Sequence, residues 1–201
     1  MTPRRKILVI LGSTRDGRYG DKPAHWITGK LRADGRFDPE LVDLRDWPLP
    51  FFDQPRSPAR VADGNYGHDV ANRWGAKVAS ADGFVIIAAE YNRGYTAVLK
   101  NALDWVFREW NRKPVTFVGY GAVGGSRAIE QLREVAIELE MAPIRRAVHL
   151  PADVFRATMS ATAPADPALF APAEPAARLM LDDLAWWANA LAAARAADRP
   201  R

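Results

Sequence analysis

Hydroxyl, guanidinium and glycine residues are concentrated directly after the first apolar run of the chain. The run is Ile7–Leu11, and the polar segment that follows is Gly12–Gly20, with the sequence GSTRDGRYG. Hydroxyls, guanidinium groups and backbone N–H groups at a helix N-terminus are the donors that bind a phosphate monoester. The segment lacks the Gly-Lys-Ser/Thr ending of a P-loop and the GxGxxG spacing of a dinucleotide site. By itself it is either a phosphate cradle or an ordinary polar turn with solvated arginines.

Two further loops follow apolar runs and have an unusual composition. Glu90–Tyr95 reads EYNRGY and follows Phe84–Ala89. Its two tyrosines, amide and glycine can hold a flat heteroaromatic ring, although an ordinary loop with surface tyrosines is the alternative. Gly119–Ser126 reads GYGAVGGS, and its small residues let a ligand approach the backbone closely, or simply make a turn. Together the three loops describe a mononucleotide pocket that fits FMN better than a dinucleotide.

Apolar runs that alternate with helical stripes predict the elements that carry these loops. Continuous apolar runs are typical of strands buried on both faces of a parallel sheet. The predicted strands are Ile7–Leu11, Glu40–Leu44, Phe84–Ala89, Pro114–Tyr120 and Ile144–Leu150. The predicted helices start at Asp21, span Gly67–Ala81 and Ala97–Trp110, carry an apolar stripe over Ile129–Leu139, and close the chain over Arg178–Ala197.

This alternation predicts an α/β fold of the flavodoxin-like, doubly wound type. We expect a five-stranded parallel sheet of order 2-1-3-4-5 with helices on both faces. We expect one domain over residues 1–201, in which 157–201 form an irregular Ala/Pro segment followed by the C-terminal helix. Because ligands bind such sheets where the strand order reverses, the loops after Leu11 and Ala89 should form the site.

Composition excludes several other classes of protein. The chain has 201 residues, 48% of them hydrophobic, and a net charge of +4 from 28 basic and 24 acidic residues. The absence of cysteine excludes disulfides, thiolate metal sites and a cysteine nucleophile, and the three histidines show no ligand spacing, so no metal site is expected. No run approaches the ~18 apolar residues of a membrane span. The scattered basic residues do not favour nucleic-acid binding, and we expect a cytoplasmic protein.

Three motifs resemble those of the NADPH-dependent FMN reductase family, which includes quinone, chromate and azo-dye reductases. They are LGSTR at 11–15, EYNRGY at 90–95 running into LKNALDW at 99–105, and GAVGGSR at 121–127. The resemblance covers about Ile7–Leu150. Ala89 stands where the family usually has Pro, and many members have Ser and Asn where this chain has Arg18 and Gly20.

The resemblance implies a flavin site formed by the three loops. It implies that Ser13, Thr14, Arg15 and Arg18 hold the FMN phosphate beside Gly12. It further implies that Glu90, Tyr91, Asn92 and Arg93 line the isoalloxazine ring, largely through backbone, and that Tyr120 and Gly121 close its other edge. Hydride would pass from NADPH through flavin N5 to a small acceptor: a quinone, a flavin, an azo or nitro compound, or chromate. No catalytic side chain is implied, because the cofactor carries the redox chemistry. A homodimer or homotetramer is implied as well.

Two other classes stay open at this stage. One is an FMN-binding electron carrier, and the other is a regulatory module on the same fold, neither of which uses NADPH. Carriers of this type tend to be acidic, so the net charge of +4 argues against the first. Two aromatic groups lie outside the motifs. Trp186 and Trp187 are expected to anchor the last helix to the core. Trp47, Phe51 and Phe52, in the Pro-rich connection, are expected either to pack, for example in a subunit interface, or to cover the flavin as a substrate wall.

Overall fold

The computed structural model describes residues 3–198 and contains one parallel sheet. Its strand order is β2-β1-β3-β4-β5, with β6 also paired to β4, and this order confirms the predicted doubly wound fold. The strands are β1 Arg5–Leu11, β2 Phe37–Asp43, β3 Gly83–Ala89, β4 Pro114–Tyr120, β5 Ala142–Pro143 and β6 Val148–His149. The helices are α1 Asp21–Asp34, α2 Asp69–Ala79, α3 Ala97–Asp104, α4 Ser126–Glu138, α5 Ala152–Met159 and α6 Glu174–Ala197. None of these helices is long and apolar enough to cross a membrane.

Helices cover both faces of the sheet, as predicted. All seven residues of β3 and all seven of β4 are buried, because each strand lies between two hydrophobic layers. One layer contains Trp26 of α1 and Leu184 of α6. The other contains Trp74 of α2 and Leu132 of α4. The two layers fix the strands, so the loops at their carboxyl ends start from defined positions.

The prediction of one continuous fifth strand over Ile144–Leu150 is wrong. The structure has two short strands instead, β5 just before this range and β6 within it, and both pair with β4. Side chains take the carbonyls between them: the Thr116 hydroxyl donates to the Arg146 carbonyl at 2.7 Å, and the Arg133 guanidinium donates to the Ile144 carbonyl at 2.5 Å. These bonds replace sheet bonds, so the strand is interrupted.

The expected irregular segment over 157–176 is also partly wrong. Residues 157–159 complete α5, a short 3-10 helix spans Pro167–Ala173, and α6 begins at Glu174 rather than Arg178. Proline in the first turn is compatible with a helix, because its missing N–H would have no partner there. α3 is shorter than predicted and ends at Asp104. The chain turns there, and Trp105 and Trp110 are both buried beyond it.

The expectation that Trp186 and Trp187 anchor α6 to the core is wrong. Their side chains are 64% and 38% exposed and pack edge to face against each other. Smaller side chains of α6, including Met180, Leu184 and Ala188, make the core contact instead. A helix that buries one stripe leaves adjacent positions in solvent whatever their hydrophobicity.

Candidate functional site

Side chains and backbone of two loops meet at the carboxyl edge of the sheet, between β1 and β3. The β1–α1 loop (12–20) is held to β3 by the Gly12 N–H, which donates to the Ile87 carbonyl at 3.2 Å. The Thr96 hydroxyl donates to the Gly12 carbonyl and accepts from the Leu99 N–H at 3.3 Å, so it caps α3 and ties the loops together. A pocket of about 290 Å³ opens there. It is lined by Ser13, Thr14, Arg15, Tyr91, Thr96, Ala97 and Val98.

The β1–α1 loop presents unpaired donors to this pocket. Only glycine fits at position 12, because a Cβ atom there would lie 2.8 Å from the Ile87 carbonyl oxygen. Within residues 3–198, the N–H groups of Thr14, Arg15 and Asp16 have no acceptor. The Arg15 guanidinium lies over the Tyr91 ring at 5.8 Å from its centroid and pairs with no carboxylate of the described chain. These groups are suited to bind an anion.

Arg18 has a different environment from Arg15. Its side chain is only 4% exposed. Its guanidinium donates to the carboxylates of Asp21 and Asp43 and, at 2.7 Å, to the Ser13 carbonyl. Burial raises the pKa of Asp43, but bonds from Arg18 and the Arg45 N–H outweigh it and hold that pKa below 3.8. The structure therefore places Arg18 as a brace between the loop, α1 and β2, with its donors already engaged.

The β3–α3 loop (90–96) is a tight hairpin turn. Tyr91 and Gly94 exchange backbone hydrogen bonds of 2.8 and 3.0 Å. Between them, Asn92 and Arg93 have φ values of 49° and 72°, the pattern of a type I′ turn. In the described chain the N–H groups of these two residues have no acceptor, so they remain available as donors.

Glu90 fastens this hairpin to α4. Its carboxylate, 4% exposed, accepts from the Arg127 Nε at 2.6 Å and from the Arg127 backbone N–H at 3.2 Å. Gly121 follows β4 with a φ of 143°, and a Cβ atom there would come within 3.1 Å of the Glu90 Cβ. Both Glu90 oxygens are engaged, which indicates a role in holding the loop.

Tyr120 lies below the site rather than beside it. Its ring is buried in the core, 5.0 Å from the Tyr19 ring. Its hydroxyl has no hydrogen-bond partner within the described residues. Burial raises the pKa of that hydroxyl, and the nearby Ser13 hydroxyl and the charges of Arg15 and Arg18 lower it by less. The structure thus brings the Tyr120 hydroxyl beside Gly20 of the β1–α1 loop.

Sequence reasoning missed the function of Asn101. Its amide donates to the carbonyls of Leu49 and Pro50 at 3.2 and 2.8 Å and accepts from the Phe52 N–H at 3.1 Å. Trp105 adds a bond of 2.7 Å to the Pro50 carbonyl. The sequence signal for this contact is the amide of Asn101 followed four residues later by the indole of Trp105, on a side of α3 that is otherwise apolar. These bonds fix a wall, residues 49–52, beside α3.

The sequence profile of the NADPH-dependent FMN reductase family matches residues 5–154. The chain belongs to this family. An NAD(P)H-dependent FMN reductase of Schizosaccharomyces pombe is 44% identical over 150 residues, which cover 74% of each chain. A 2-hydroxy-1,4-benzoquinone reductase of a Burkholderia species is 34% identical over 68% of this chain and 72% of its own length. Family membership confirms the predicted enzyme class, an oxidoreductase, and the cofactors FMN and NADPH.

A solved structure confirms the fold of this family member. FerB, a flavoenzyme NAD(P)H:(acceptor) oxidoreductase from Paracoccus denitrificans, superposes with a TM-score of 0.66. The superposition covers 92% of this chain and 97% of FerB, at 23% identity. This likeness extends beyond the family profile and includes most of the C-terminal region.

The donor set at the carboxyl edge fits FMN. A phosphate monoester needs several donors and a positive charge, and the β1–α1 loop offers free N–H groups, the Ser13 and Thr14 hydroxyls and Arg15. The buried Tyr120 hydroxyl is an unused donor at the same place. The hairpin N–H groups of Asn92 and Arg93 suit the acceptor atoms of a flat ring.

Proposed function

We propose that the protein oxidises NADPH and reduces a small electron acceptor, with FMN bound across the β1–α1 loop and the β3–α3 hairpin. The observation that carries this proposal is the meeting of free phosphate donors and free hairpin donors at the reversal of strand order. When bound, FMN supplies the redox chemistry, accepting hydride from NADPH at N5 and returning two electrons to the acceptor.

In this proposal the β1–α1 loop holds the phosphate. Ser13 and Thr14 donate through their hydroxyls, and Arg15 neutralises the charge. Gly12 allows the backbone to run close to β3. Arg18 acts indirectly, because its bonds to Asp21, Asp43 and the Ser13 carbonyl keep the loop in shape. This revises the direct role that the resemblance implies for Arg18.

The hairpin and the β4–α4 loop hold the ring. Asn92 and Arg93 donate from the backbone, Glu90 keeps the hairpin against Arg127, and Gly121 leaves room beside it. No side chain of this set is assigned a proton transfer. Tyr91 is 38% exposed and can pack against a flat ring through its aromatic face.

We propose a quinone as the class of acceptor. The named activity of the Burkholderia relative, a benzoquinone reductase, supports this choice. The wall at residues 49–52 supports it too, because its bonds to Asn101 and Trp105 hold the backbone that carries Phe51 and Phe52 beside α3, the helix that follows the hairpin. Apolar walls favour flat aromatic acceptors over a hydrated oxyanion.

An anaerobic titration of the FMN-loaded protein with NADPH tests the enzyme proposal. We expect stoichiometric bleaching of the flavin absorbance, and its return when a benzoquinone is added. A flavin that binds and is not bleached would identify an electron carrier or regulatory module instead. Chromate in place of the quinone serves as the comparison acceptor, and faster reoxidation by chromate would contradict the quinone assignment.

The cytoplasmic location, the homodimer or homotetramer and the single domain over 1–201 stay predictions. Light scattering coupled to size-exclusion chromatography tests the oligomeric state directly. Limited proteolysis tests the domain assignment: we expect no stable fragment that ends between residues 150 and 174, because Tyr19 of the N-terminal half bonds to Thr158 at 2.5 Å.

A further inference from the structure

Three hydroxyl groups converge under the β1–α1 loop. The hydroxyls of Ser13 and Tyr91 are hydrogen-bonded to each other at 3.0 Å. The third hydroxyl, of Tyr120, lies near that of Ser13, whose proximity lowers the pKa of Tyr120 although no hydrogen bond joins the two. Tyr120 is 6% exposed, and its hydroxyl is buried without a partner in the described chain. A buried hydroxyl without a partner is unfavourable for folding, so its presence points to a ligand that it serves.

The Tyr120 hydroxyl also lies beside the N-terminus of α1. A Cβ atom on Gly20, the N-cap residue of that helix, would lie 2.8 Å from the hydroxyl oxygen. Gly20 has no side chain to cap the helix, and within residues 3–198 the Asp21 N–H has no acceptor. α1 has 14 residues, so its N-terminus carries a partial positive charge that favours an anion.

We propose that the Tyr120 hydroxyl donates a hydrogen bond to the phosphate of FMN, at the position where the Tyr91 hydroxyl now contacts Ser13. This inference rests on the proposed function and assigns Tyr120 to the phosphate rather than to the flavin ring. The Tyr91 side chain is partly exposed and belongs to the hairpin, so it can be lifted from Ser13 without disturbing the core. A phosphate oxygen in its place contacts Ser13 and gives Tyr120 the partner that it lacks.

The protonation state of Tyr120 suits this role. Burial raises the pKa of its hydroxyl above the ordinary value of 10. The hydroxyl therefore keeps its proton at neutral pH and is available as a donor to the phosphate oxygens. Arg15, which pairs with no carboxylate of the described chain, supplies positive charge that favours a phosphate at this place.

Substitution Tyr120→Phe tests the inference, because it removes the hydroxyl and keeps the ring. Binding of FMN and of riboflavin, which has no phosphate, is measured by flavin fluorescence on the flavin-free protein. We expect FMN affinity to fall by about tenfold to a hundredfold, the effect of a hydrogen bond to a charged group, and riboflavin affinity to stay constant. We also expect the melting temperature without flavin to stay equal or to rise.

Tyr19→Phe is the matched control. The Tyr19 ring packs against that of Tyr120, but its hydroxyl bonds to Thr158 at 2.5 Å. We expect this variant to melt at a lower temperature and to keep the wild-type ratio of FMN to riboflavin affinity. The control thus separates core packing from phosphate binding.

Other outcomes of these binding measurements contradict either the inference about Tyr120 or the proposed function. If Tyr120→Phe binds FMN as tightly as the wild type, or loses both flavins equally, the inference is wrong and the proposed function stands. If the wild type binds neither flavin, the proposed function fails, and the inference fails with it. A wild type without preference for FMN over riboflavin contradicts the phosphate site itself.

Discussion

The β1–α1 loop and the β3–α3 hairpin are both candidate flavin loops, but they are stabilised in different ways. The first is braced by a buried guanidinium between two carboxylates, with Gly12 packed on β3. The second is held to α4 by the Glu90–Arg127 ion pair and by a bond from the Gln131 amide to the Arg93 carbonyl, and it carries two non-glycine residues at positive φ. A rigid cradle suits a phosphate, which needs fixed donors. An exposed, less stable hairpin suits a ring face that must admit NADPH and the acceptor in turn.

The largest effect is expected for Arg18→Met, which removes the brace of the first loop. It leaves the carboxylates of Asp21 and Asp43 without their partner, and breaking a buried ion pair costs about 3 kcal/mol or more. Urea unfolding of the flavin-free protein measures this. Arg36→Met is the control: Arg36 also bonds to two carboxylates, Asp34 and Asp182, but it is 43% exposed, so we expect a loss of less than about 1 kcal/mol. Equal losses would contradict the bracing role.

A smaller effect of the same brace is expected in the pH dependence of stability. The pKa of Asp43 is lower in the folded protein than in the unfolded chain. The contribution of Asp43 to the free energy of unfolding is therefore complete above the pKa of the unfolded chain, about 3.9. It is lost as the pH falls through the lower pKa of Asp43 in the folded protein. Asp43→Asn should be less stable than the wild type at pH 7, and the difference should shrink at acid pH. Urea midpoints measured between pH 7 and pH 3 test this, and a constant difference would contradict it.

Glu90→Gln should destabilise the β3–α3 hairpin, with a smaller loss in the free energy of unfolding than Arg18→Met. The glutamine keeps the shape but loses the charge that pairs with Arg127, so we expect a loss of about 1–2 kcal/mol. Hydrogen exchange at Tyr91 and Gly94, whose N–H groups are bonded to each other's carbonyls, should become faster, while exchange in β1 stays unchanged. Asp104→Asn, at the exposed pair with Lys100, should cost only about 0.3–0.5 kcal/mol. Unchanged exchange in the hairpin would show that Glu90 does not hold it.

Arg15→Gln should affect binding rather than folding, in contrast to Arg18. Arg15 has no carboxylate partner within residues 3–198, so we expect its loss to change the free energy of unfolding by less than about 0.5 kcal/mol. FMN affinity should fall about tenfold, equivalent to about 1.4 kcal/mol. Arg32→Gln, on the exposed side of α1, is the control and should change neither quantity. A large loss of stability would contradict the distinction between the two arginines.

The smallest effect, and the only stabilising one, is expected for Arg93→Gly. Arg93 has a φ of 72°, and an Asn-Gly pair is the preferred sequence of a type I′ turn. We expect a gain of about 0.5–1 kcal/mol in the free energy of unfolding. Arg73→Gly, inside α2, should lose about 1 kcal/mol by the usual helix preference. A loss at position 93 would show that the Arg93 side chain contributes contacts that outweigh the turn geometry.

Much of the architecture could be predicted because its signals are local. β4 was predicted with its observed ends at Pro114 and Tyr120, since a strand buried on both faces is a continuous apolar run. The sheet order then placed the loops after Leu11 and Ala89 side by side. The division of the fifth strand could not be predicted, because it depends on Thr116 and Arg133, which lie on other elements.

The sequence by itself thus predicted the first four strands, the order of the sheet, the family and the loops that form the candidate site. Only the tertiary structure decided what the residues of those loops do. Arg15 and Arg18 carry the same guanidinium group three positions apart in the sequence. Of these two arginines, only Arg18 pairs with Asp43, which lies on a separate strand. Tyr120 ends an apolar strand in the sequence, and its hydroxyl reaches the loop only because its ring packs against Tyr19 and Gly20 of that loop. Strands and helices can be read from the sequence because hydrophobic periodicity and burial are local signals. The hydrogen-bond partners of a side chain come from distant parts of the chain and depend on how the elements pack.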